Sequence, residues 1–374
     1  MLLFGIPVQR LKGSSVQCRH PEAAMSKRIA IRFGVFLAWV MFSLLPAGRA
    51  HAQTPNYQGK TVTIIVGTGA GDLYDLYARS IALFMGKYLP GNPNVIVQNM
   101  PGAGHMIAAN YIYNVSKPDG LTIGAINAGL YFEQLIGRAE VKFDWTKYTW
   151  VGNATKSPQV LYMRADSPFK TIEDVRTAKE SPKCGTTGLG NMGNLVPKLL
   201  EETVSAKFNM VSGYQGGNEI DLAVERGEIQ CRSLSTEAYF SREPFHTWRK
   251  NGFSRELVQG GRVRIEKLAN VPTIYELLDK YKTPEPGRRL ATTLLASGEF
   301  HRPYLAPPKM RPELVKTLRD AFNKTMKDPE FLAETKKKRL DIDATTGEEV
   351  EALTKEAMSQ PKDVIDTLKK LMGK

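Results

Sequence analysis

The chain has 374 residues, more than a single hydrophobic core usually serves, so two domains are expected. Its formal charge at pH 7 is +13, but residues 1–52 hold seven Lys and Arg against one Glu, which leaves +7 for the rest. That mild excess argues against a nucleic-acid-binding protein, which concentrates Lys and Arg on one face.

The first 52 residues are typical of a cleavable secretory signal peptide. Met25 begins a positively charged stretch, and residues 34–45 form an uncharged run that is too short to span a bilayer core. Ala50 and Ala52 then occupy positions minus three and minus one of a cut before Gln53, in agreement with the A-x-A rule. We therefore expect translation to start near Met25 and the protein to reach the periplasm; an uncleaved N-terminal anchor is the alternative.

Strand and helix patterns alternate along the following residues, as in α/β folds with parallel strands. Residues 61–66 (TVTIIV) predict a strand buried on both faces, and after a glycine-rich turn residues 73–89 show helical spacing. A second strand is predicted over 95–99, a helix over 105–116 and a third strand over 121–127. The order is that of β-α-β units with right-handed crossovers.

The pattern restarts in the second half. Residues 149–164 hold two strand-like runs around a polar break, and Thr171 with Asp174 forms a capping-box-like helix start. Residues 298–308 are strand-like and predict a return crossing; helical segments follow over 312–328, 329–339 and 348–373. We therefore expect two lobes: residues 53–157 form the first part of lobe one, residues 158–299 form lobe two, and residues 300–374 return to lobe one.

Two glycine-rich turns, each between a strand and a helix, carry the strongest functional signal. The first spans Gly67–Asp75 and the second Thr186–Asn194, about 120 residues later. Glycine lets backbone N–H groups approach a ligand, and the helix N-terminus beyond favours an anion. Two facing turns of this kind predict a clamp for a small anion between two lobes. The structural alternative is that both turns are only tight connections.

The sequence gives little support for an enzyme. The first turn misses the dinucleotide spacing, because the third glycine of G-x-G-x-x-G falls one place early at Gly71. No G-x-S-x-G motif is present, and after signal cleavage the only histidines are His105, His246 and His301. His105 lies at a turn-helix junction that suits capping or ligand contact, whereas the other two suit surface or packing roles. We expect no catalytic residue, no cofactor and no metal.

Two cysteines follow the signal peptide, Cys184 and Cys231. Each lies in a predicted strand, and an exported compartment permits a disulfide if the Cα atoms approach to about 5.5 Å. Whether they pair stays open at this point. The absence of C-x-x-C and H-x-x-x-H spacings argues against a structural metal site.

Six landmarks in order resemble the solute receptors of tripartite tricarboxylate transporters, the Bug or TctC-like family. They are the strand Gly59–Val66 with Gly71, Asp75 and Arg79; Val97, Asn99 and Pro101–Gly104; Pro118–Gly120; Gly188 and Gly190; Tyr214 and Gly216; and Val271–Leu277. The resemblance spans nearly the whole chain after the signal peptide.

The resemblance implies a type II periplasmic-binding-protein fold: two lobes, each with a mixed β-sheet flanked by helices, and a ligand cleft between them. It implies a monomeric receptor that captures a small carboxylate and delivers it to the membrane permease subunits of such a transporter, with no nucleic-acid partner. A periplasmic ligand sensor for a signalling partner is the alternative. The expected ligand-binding residues are Thr68, Gly69, Ala70, Gly71, Asp72 and Asn127 from lobe one, and Thr186, Thr187, Gly188, Gly190, Asn191 and Tyr214 from lobe two.

Three positions depart from the family pattern. Asp72 replaces the second of a paired glycine, and it would repel a carboxylate if it pointed inward. His105 stands where a glycine often follows P-G-A-G, and Gln230 stands where relatives often carry Asp. These departures leave the identity of the ligand open.

Overall fold

The computed structural model describes residues 55–214 and 217–373, which belong to one compact unit. The predicted signal peptide, its cleavage site and the start at Met25 lie outside the described residues, as does Gly216. Among the described residues, no helix has the length and apolar character needed to cross a membrane.

Six strands form the first sheet: β1 (Thr61–Val66), β2 (Asn94–Asn99), β3 (Thr122–Ala125), β4 (Thr149–Asn153), β10 (Pro303–Ala306) and β11 (Thr345–Thr346). Their order is β11-β4-β10-β3-β1-β2. Strands β1, β2 and β3 are parallel, whereas β10 runs antiparallel to β3 and β4, and β11 antiparallel to β4. The carboxyl ends of the three parallel strands therefore meet at one edge of the sheet.

Five strands form the second sheet: β5 (Gln159–Arg164), β6 (Lys183–Gly185), β7 (Asn209–Val211), β8 (Cys231–Ser235) and β9 (Ser254–Gln259). Their order is β7-β6-β8-β5-β9. Strand β6 is parallel to β7 and β8, while β5 is antiparallel to β8 and β9. Two mixed sheets flanked by helices confirm the predicted fold class.

Fourteen α-helices lie in the described part of the chain: α1 (Leu73–Met85), α2 (Met106–Asn114), α3 (Leu130–Leu135), α4 (Ile172–Thr177), α5 (Met192–Val204), α6 (Gly217–Glu225), α7 (Thr236–Ser241), α8 (Phe245–Asn251), α9 (Ile274–Lys280), α10 (Glu285–Glu299), α11 (Pro312–Met326), α12 (Pro329–Lys337), α13 (Gly347–Met358) and α14 (Lys362–Leu371). The predicted capping box at α4 is confirmed, with Thr171 and Asp174 bonding each other's backbone. The single helical segment predicted over 348–373 is wrong, because Pro361 separates α13 from α14.

The chain passes between the two sheets through residues 154–158 and again through 298–302, where α10 ends and β10 begins. The two crossings are hydrogen-bonded to each other: Ala154 N–H donates to the Arg302 carbonyl at 3.1 Å, and Ser157 N–H to the Gly298 carbonyl at 2.8 Å. The Asn153 side-chain oxygen accepts from the Arg302 N–H at 2.9 Å. A Cβ on Gly298 would lie 2.9 Å from the Pro158 Cα, so this close approach requires glycine.

The core explains the composition of the strands. Val62 and Ile64 of β1 pack in one apolar cluster, while Ile65 packs in another on the opposite face. Burial on both faces accounts for the continuous β-branched run predicted from the sequence. The cluster that contains Ile65 includes residues of both sheets, since Trp150 of β4 and Leu161 of β5 also belong to it.

Cys184 and Cys231 form a disulfide that joins β6 to β8. They are directly paired positions on the two parallel strands, with Cα atoms 4.5 Å apart, and both are fully buried. The sequence left this pairing open, and the sheet register settles it. The bridge closes a chain segment of 47 residues beside the second glycine-rich turn.

We expect removal of the bridge to lower stability without changing the fold. The variant Cys184→Ala with Cys231→Ala should lose about 2–4 kcal/mol of unfolding free energy, because the reduced chain regains loop entropy when unfolded. Urea denaturation without reductant measures this. Adding reductant should lower the midpoint of the unmodified protein and leave the double variant unmoved; an unmoved midpoint in both would contradict the role of the bridge.

Candidate functional site

A cavity of about 400 Å³ lies where the carboxyl ends of β2 and β3 approach the turn that follows β6. In open α/β sheets this edge is where ligands bind. The first sheet contributes residues 103–104, 127–130, 132–133 and 138 to the wall. The second sheet contributes Gln159 and residues 190–192, and the wall is completed by Ser297, His301 and Met372.

Three of the predicted ligand-binding residues line this cavity: Asn127, Gly190 and Asn191. The Asn127 side-chain oxygen accepts from the Gly129 N–H at 2.8 Å, which fixes the turn leading into α3. Asn191 caps α5, and its side-chain oxygen accepts from the Gly193 N–H at 2.7 Å. In both residues the oxygen is used locally, which leaves the amide N–H₂ as the group that a ligand can meet.

The other four residues predicted from the second half of the chain, Thr186, Thr187, Gly188 and Tyr214, lie outside the cavity wall. Thr186 is buried, and its hydroxyl donates to the Gly188 carbonyl at 3.2 Å, so these two residues hold the shape of the turn. Thr187 is exposed. Tyr214 packs beside Gly185, with a ring carbon 3.5 Å from where a Cβ on that glycine would lie.

The first glycine-rich turn is fastened from beneath by Asp75. Gly71 N–H donates to Asp75 Oδ2 at 2.8 Å, Arg79 Nε to the same oxygen at 2.8 Å, and Asn99 Nδ2 to Oδ1 at 2.9 Å. Asn99 also donates to the Thr68 carbonyl at 3.0 Å. Burial alone would raise the pKa of Asp75, but these hydrogen bonds outweigh it and hold the pKa below its ordinary value.

The five predicted residues of this first turn, Thr68 to Asp72, do not line the cavity. Residues 69–72 are exposed. Asp72 is the N-cap of α1, and its Oδ1 accepts from the Tyr74 N–H at 2.9 Å. The carboxylate therefore occupies the position at the helix N-terminus where an anion is favoured.

His105 fills the space beneath the first turn. Its backbone adopts a left-handed conformation (φ 74°), which glycine adopts readily and other residues rarely do. A Cβ on Gly67 would lie 2.2 Å from His105 Nδ1, and the ring is 4.5 Å from that of Tyr74. Burial lowers the pKa of His105 to about 4, against the opposing effect of Asp72. The imidazole is a neutral packing group, with no capping hydrogen bond.

Sequence reasoning missed Gln159, Ser297, His301 and Met372. Gln159 is 9% exposed, and its side-chain oxygen has no hydrogen-bond partner among the described residues. The only sequence signal was a polar residue at the start of the apolar run VLYM, directly after Pro158. Met372 follows α14, which packs against α10, and nothing local in the sequence connects the chain end with this cavity.

His301 was assigned to surface or packing from the sequence, but it lies in the cavity wall. Its Nε2 is 3.2 Å from Glu237 Oε2, and the same oxygen accepts from Arg302 Nη2 at 2.7 Å. Arg302 also lies over the Tyr74 ring, 4.2 Å from its centroid. This buried cluster ties α7 of the second sheet to the return crossing and to α1 of the first.

A family model described as the tripartite tricarboxylate transporter family receptor matches residues 77–370. This chain belongs to that receptor family. The resemblance stated from the sequence is thereby confirmed. A UPF0065 protein of Bordetella pertussis is 27% identical over 198 residues, which cover 51% of this chain and 59% of that relative. The match thus spans less than two thirds of the curated relative's length.

Several solved structures share the fold of this chain. A TctC solute-binding protein from Polaromonas, solved with no ligand, aligns over 85% of this chain and 99% of its own, with a TM-score of 0.67 and 21% identity. MatC from Rhodopseudomonas palustris with bound malate aligns over 82% of this chain and 98% of its own, with a TM-score of 0.53 and 20% identity. A second R. palustris protein, with adipate, aligns over 85% of this chain and 99% of its own, with a TM-score of 0.55 and 17% identity. At these identities the likeness concerns the fold alone.

Replacing Asp75 should destabilise the receptor in a pH-dependent way. Asp75→Asn removes the charged acceptor from three donors and should cost about 1–3 kcal/mol of unfolding free energy near pH 7. Because the folded pKa is depressed, the wild-type advantage is complete above the unfolded value of about 3.9 and is lost as the pH falls through the folded pKa. Urea denaturation between about pH 7 and about pH 3 measures the convergence.

The exposed Asp366 offers a matched control, since Asp366→Asn should change stability little at any pH. A penalty for Asp75→Asn that stays constant as the pH falls would show that the charge of Asp75 contributes nothing.

Proposed function

We propose that this protein is an extracytoplasmic solute-binding receptor that captures a small carboxylate in the cavity. It then delivers the ligand to the permease subunits of a tripartite tricarboxylate-type transporter. The receptor binds and releases its ligand without turning it over, and it acts as a monomer. Family membership supports the receptor role, and the signal-peptide pattern of residues 1–52 supports the periplasmic location.

The observation that carries the proposal is the set of uncharged donors around the cavity. The N–H groups of Gly190 and Met192 have no hydrogen bond to another described residue, and they lie at the N-terminus of the 13-residue helix α5. The side-chain amides of Asn127 and Gln159 line the same cavity from other segments. Backbone N–H groups at a helix end, joined by side-chain amides, suit a carboxylate.

The two sides of the cavity come from the two sheets. Asn127 follows β3 of the first sheet, whereas Gln159 begins β5 and Gly190 follows β6 of the second. A ligand held by donors from both sides joins them, as expected for a receptor that closes on its solute. The cavity therefore supports the proposed cleft between residues 53–157 with 300–374 and residues 158–299.

A thermal-shift screen of carboxylates on the purified protein tests the receptor function. A cognate acid at 100 times its dissociation constant should stabilise the protein by roughly 2.7 kcal/mol and be recovered chemically unchanged. The screen includes mono-, di- and tricarboxylates. If no small acid raises the midpoint, the receptor assignment fails; if the acid is consumed, the protein is an enzyme.

Two glycine substitutions decide which turn holds the ligand. Gly190→Leu places a side chain into the cavity and should weaken binding of the acid found in the screen by at least roughly tenfold. Gly69→Leu adds the same bulk to the first turn, where a Cβ meets nothing within 4 Å, and should leave the affinity unchanged. Titration calorimetry measures both. The reverse order of effects would place the ligand at the first turn, whereas a loss of affinity in both variants would support the clamp of two turns that the sequence predicts.

A further inference from the structure

The wall of the cavity carries one guanidinium, and that group is already neutralised. Among the described lining residues, Glu133 and Arg138 are the two with a carboxylate or a guanidinium. Arg138 Nη1 lies 3.4 Å from Glu133 Oε2, and Arg138 Nε donates to Glu140 Oε2 at 3.1 Å. The guanidinium is thus held between two carboxylates, one of which faces the cavity.

The histidine of the wall supplies no free cation either. His301 Nε2 is engaged with Glu237, and that carboxylate is shared with Arg302. Burial lowers the pKa of His301, although the hydrogen bond to Glu237 opposes this. A ligand therefore meets a neutral imidazole whose ring nitrogen is already bonded to a protein carboxylate.

The uncharged donors of the wall come from two segments of the chain. They comprise the N–H groups of Gly190 and Met192 at the α5 N-terminus, together with the side-chain N–H₂ groups of Asn127 and Asn191. Gln159 is nine-tenths buried, and its amide oxygen has no partner among the described residues. This oxygen is an acceptor, so it can pair with a hydrogen-bond donor on the ligand and disfavours a second carboxylate beside it. A helix N-terminus carries about half a positive charge, which matches one carboxylate.

Apart from Ser297, whose hydroxyl donates to the Leu294 carbonyl at 3.5 Å, the other side chains of the wall are apolar. Leu130 and Phe132 of α3 are buried beside the cavity, and Met192 and Met372 line it from α5 and from the chain end. The Met372 methyl carbon lies 3.6 Å from where a Cβ on Gly190 would be, so it stands directly over the second turn. Methionine side chains adapt to ligands of irregular shape.

We propose that the ligand is a monocarboxylate with an apolar body, whose acid group lies at the α5 N-terminus and whose body contacts Phe132, Met192 and Met372. This inference rests on the receptor function proposed above. A second carboxylate on the ligand would lie in the cavity with the partly buried Glu133 and without an unpaired cation, and two like charges so close together repel each other.

Hexanoate and adipate form a matched pair that tests this, because both have six carbons and they differ by one terminal carboxylate. Titration calorimetry on the purified protein should give at least roughly tenfold tighter binding for hexanoate. Benzoate and terephthalate repeat the comparison on a ring and should show the same preference.

Charge at Glu133 should account for part of this preference. Glu133→Gln removes the carboxylate that faces the cavity and should reduce the hexanoate-to-adipate affinity ratio by roughly threefold or more. Glu140→Gln is the control, because it also contacts Arg138 but does not line the cavity, and it should leave the ratio unchanged. Equal effects of the two variants would overturn the role of Glu133.

The failure of this inference is distinguishable from failure of the receptor function. If the diacid of each pair binds as tightly as the monoacid or more tightly, the inference is wrong while the receptor function stands. If no acid of any class binds, both are wrong. Preference for each monoacid, reduced by Glu133→Gln alone, is the outcome that supports the proposal.

Discussion

The fold depends on the pairing of the two chain crossings between the sheets. Asn153, Ala154 and Ser157 bond to Arg302 and Gly298 over only a few residues, and Gly298 is needed because Pro158 lies against it. Gln159, Ser297 and His301, which line the cavity, are immediate neighbours of these bonds. The crossings therefore fix the part of the cavity wall that these three residues form. Arg302 also donates a hydrogen bond to Glu237, which connects the crossings to α7.

The two glycine-rich turns look alike in sequence but differ in what satisfies them. The first turn is satisfied by the protein itself. Asp75 accepts a hydrogen bond from the Gly71 N–H, Asp72 places a carboxylate at the α1 N-terminus, and the His105 side chain occupies the space beside Gly67. The second is capped by the neutral Asn191, and its N–H groups at Gly190 and Met192 remain without a bond to another described residue. An anion is attracted to a helix end that no other anion occupies, so the second turn is the better receiver.

Local features were predictable from the sequence because local physics decides them. The buried strand β1, the capping box at α4 and the turns containing Asn127, Gly190 and Asn191 all follow from side-chain pattern within a few residues. The insertion of β10 between β3 and β4 and the arrival of Met372 at the second turn depend on packing between segments far apart in the chain. Gln159 and His301 are unremarkable in sequence and join the site only through the crossings, so no local pattern could have identified them.

The neutrality of the cavity wall determines how affinity arises. An acid bound among N–H groups and amides gains no full countercharge, so its hydrogen bonds are strong only where water is excluded. Exclusion requires the apolar side chains from both sides, including Phe132 after β3 and Met192 after β6. Under the proposed function, a ligand that contacts both sides would stabilise the separation at which it makes both sets of contacts. Ligand capture and the approach of the two sheets would then be one equilibrium. Contacts that are weak individually would give selectivity, because each needs the others in place.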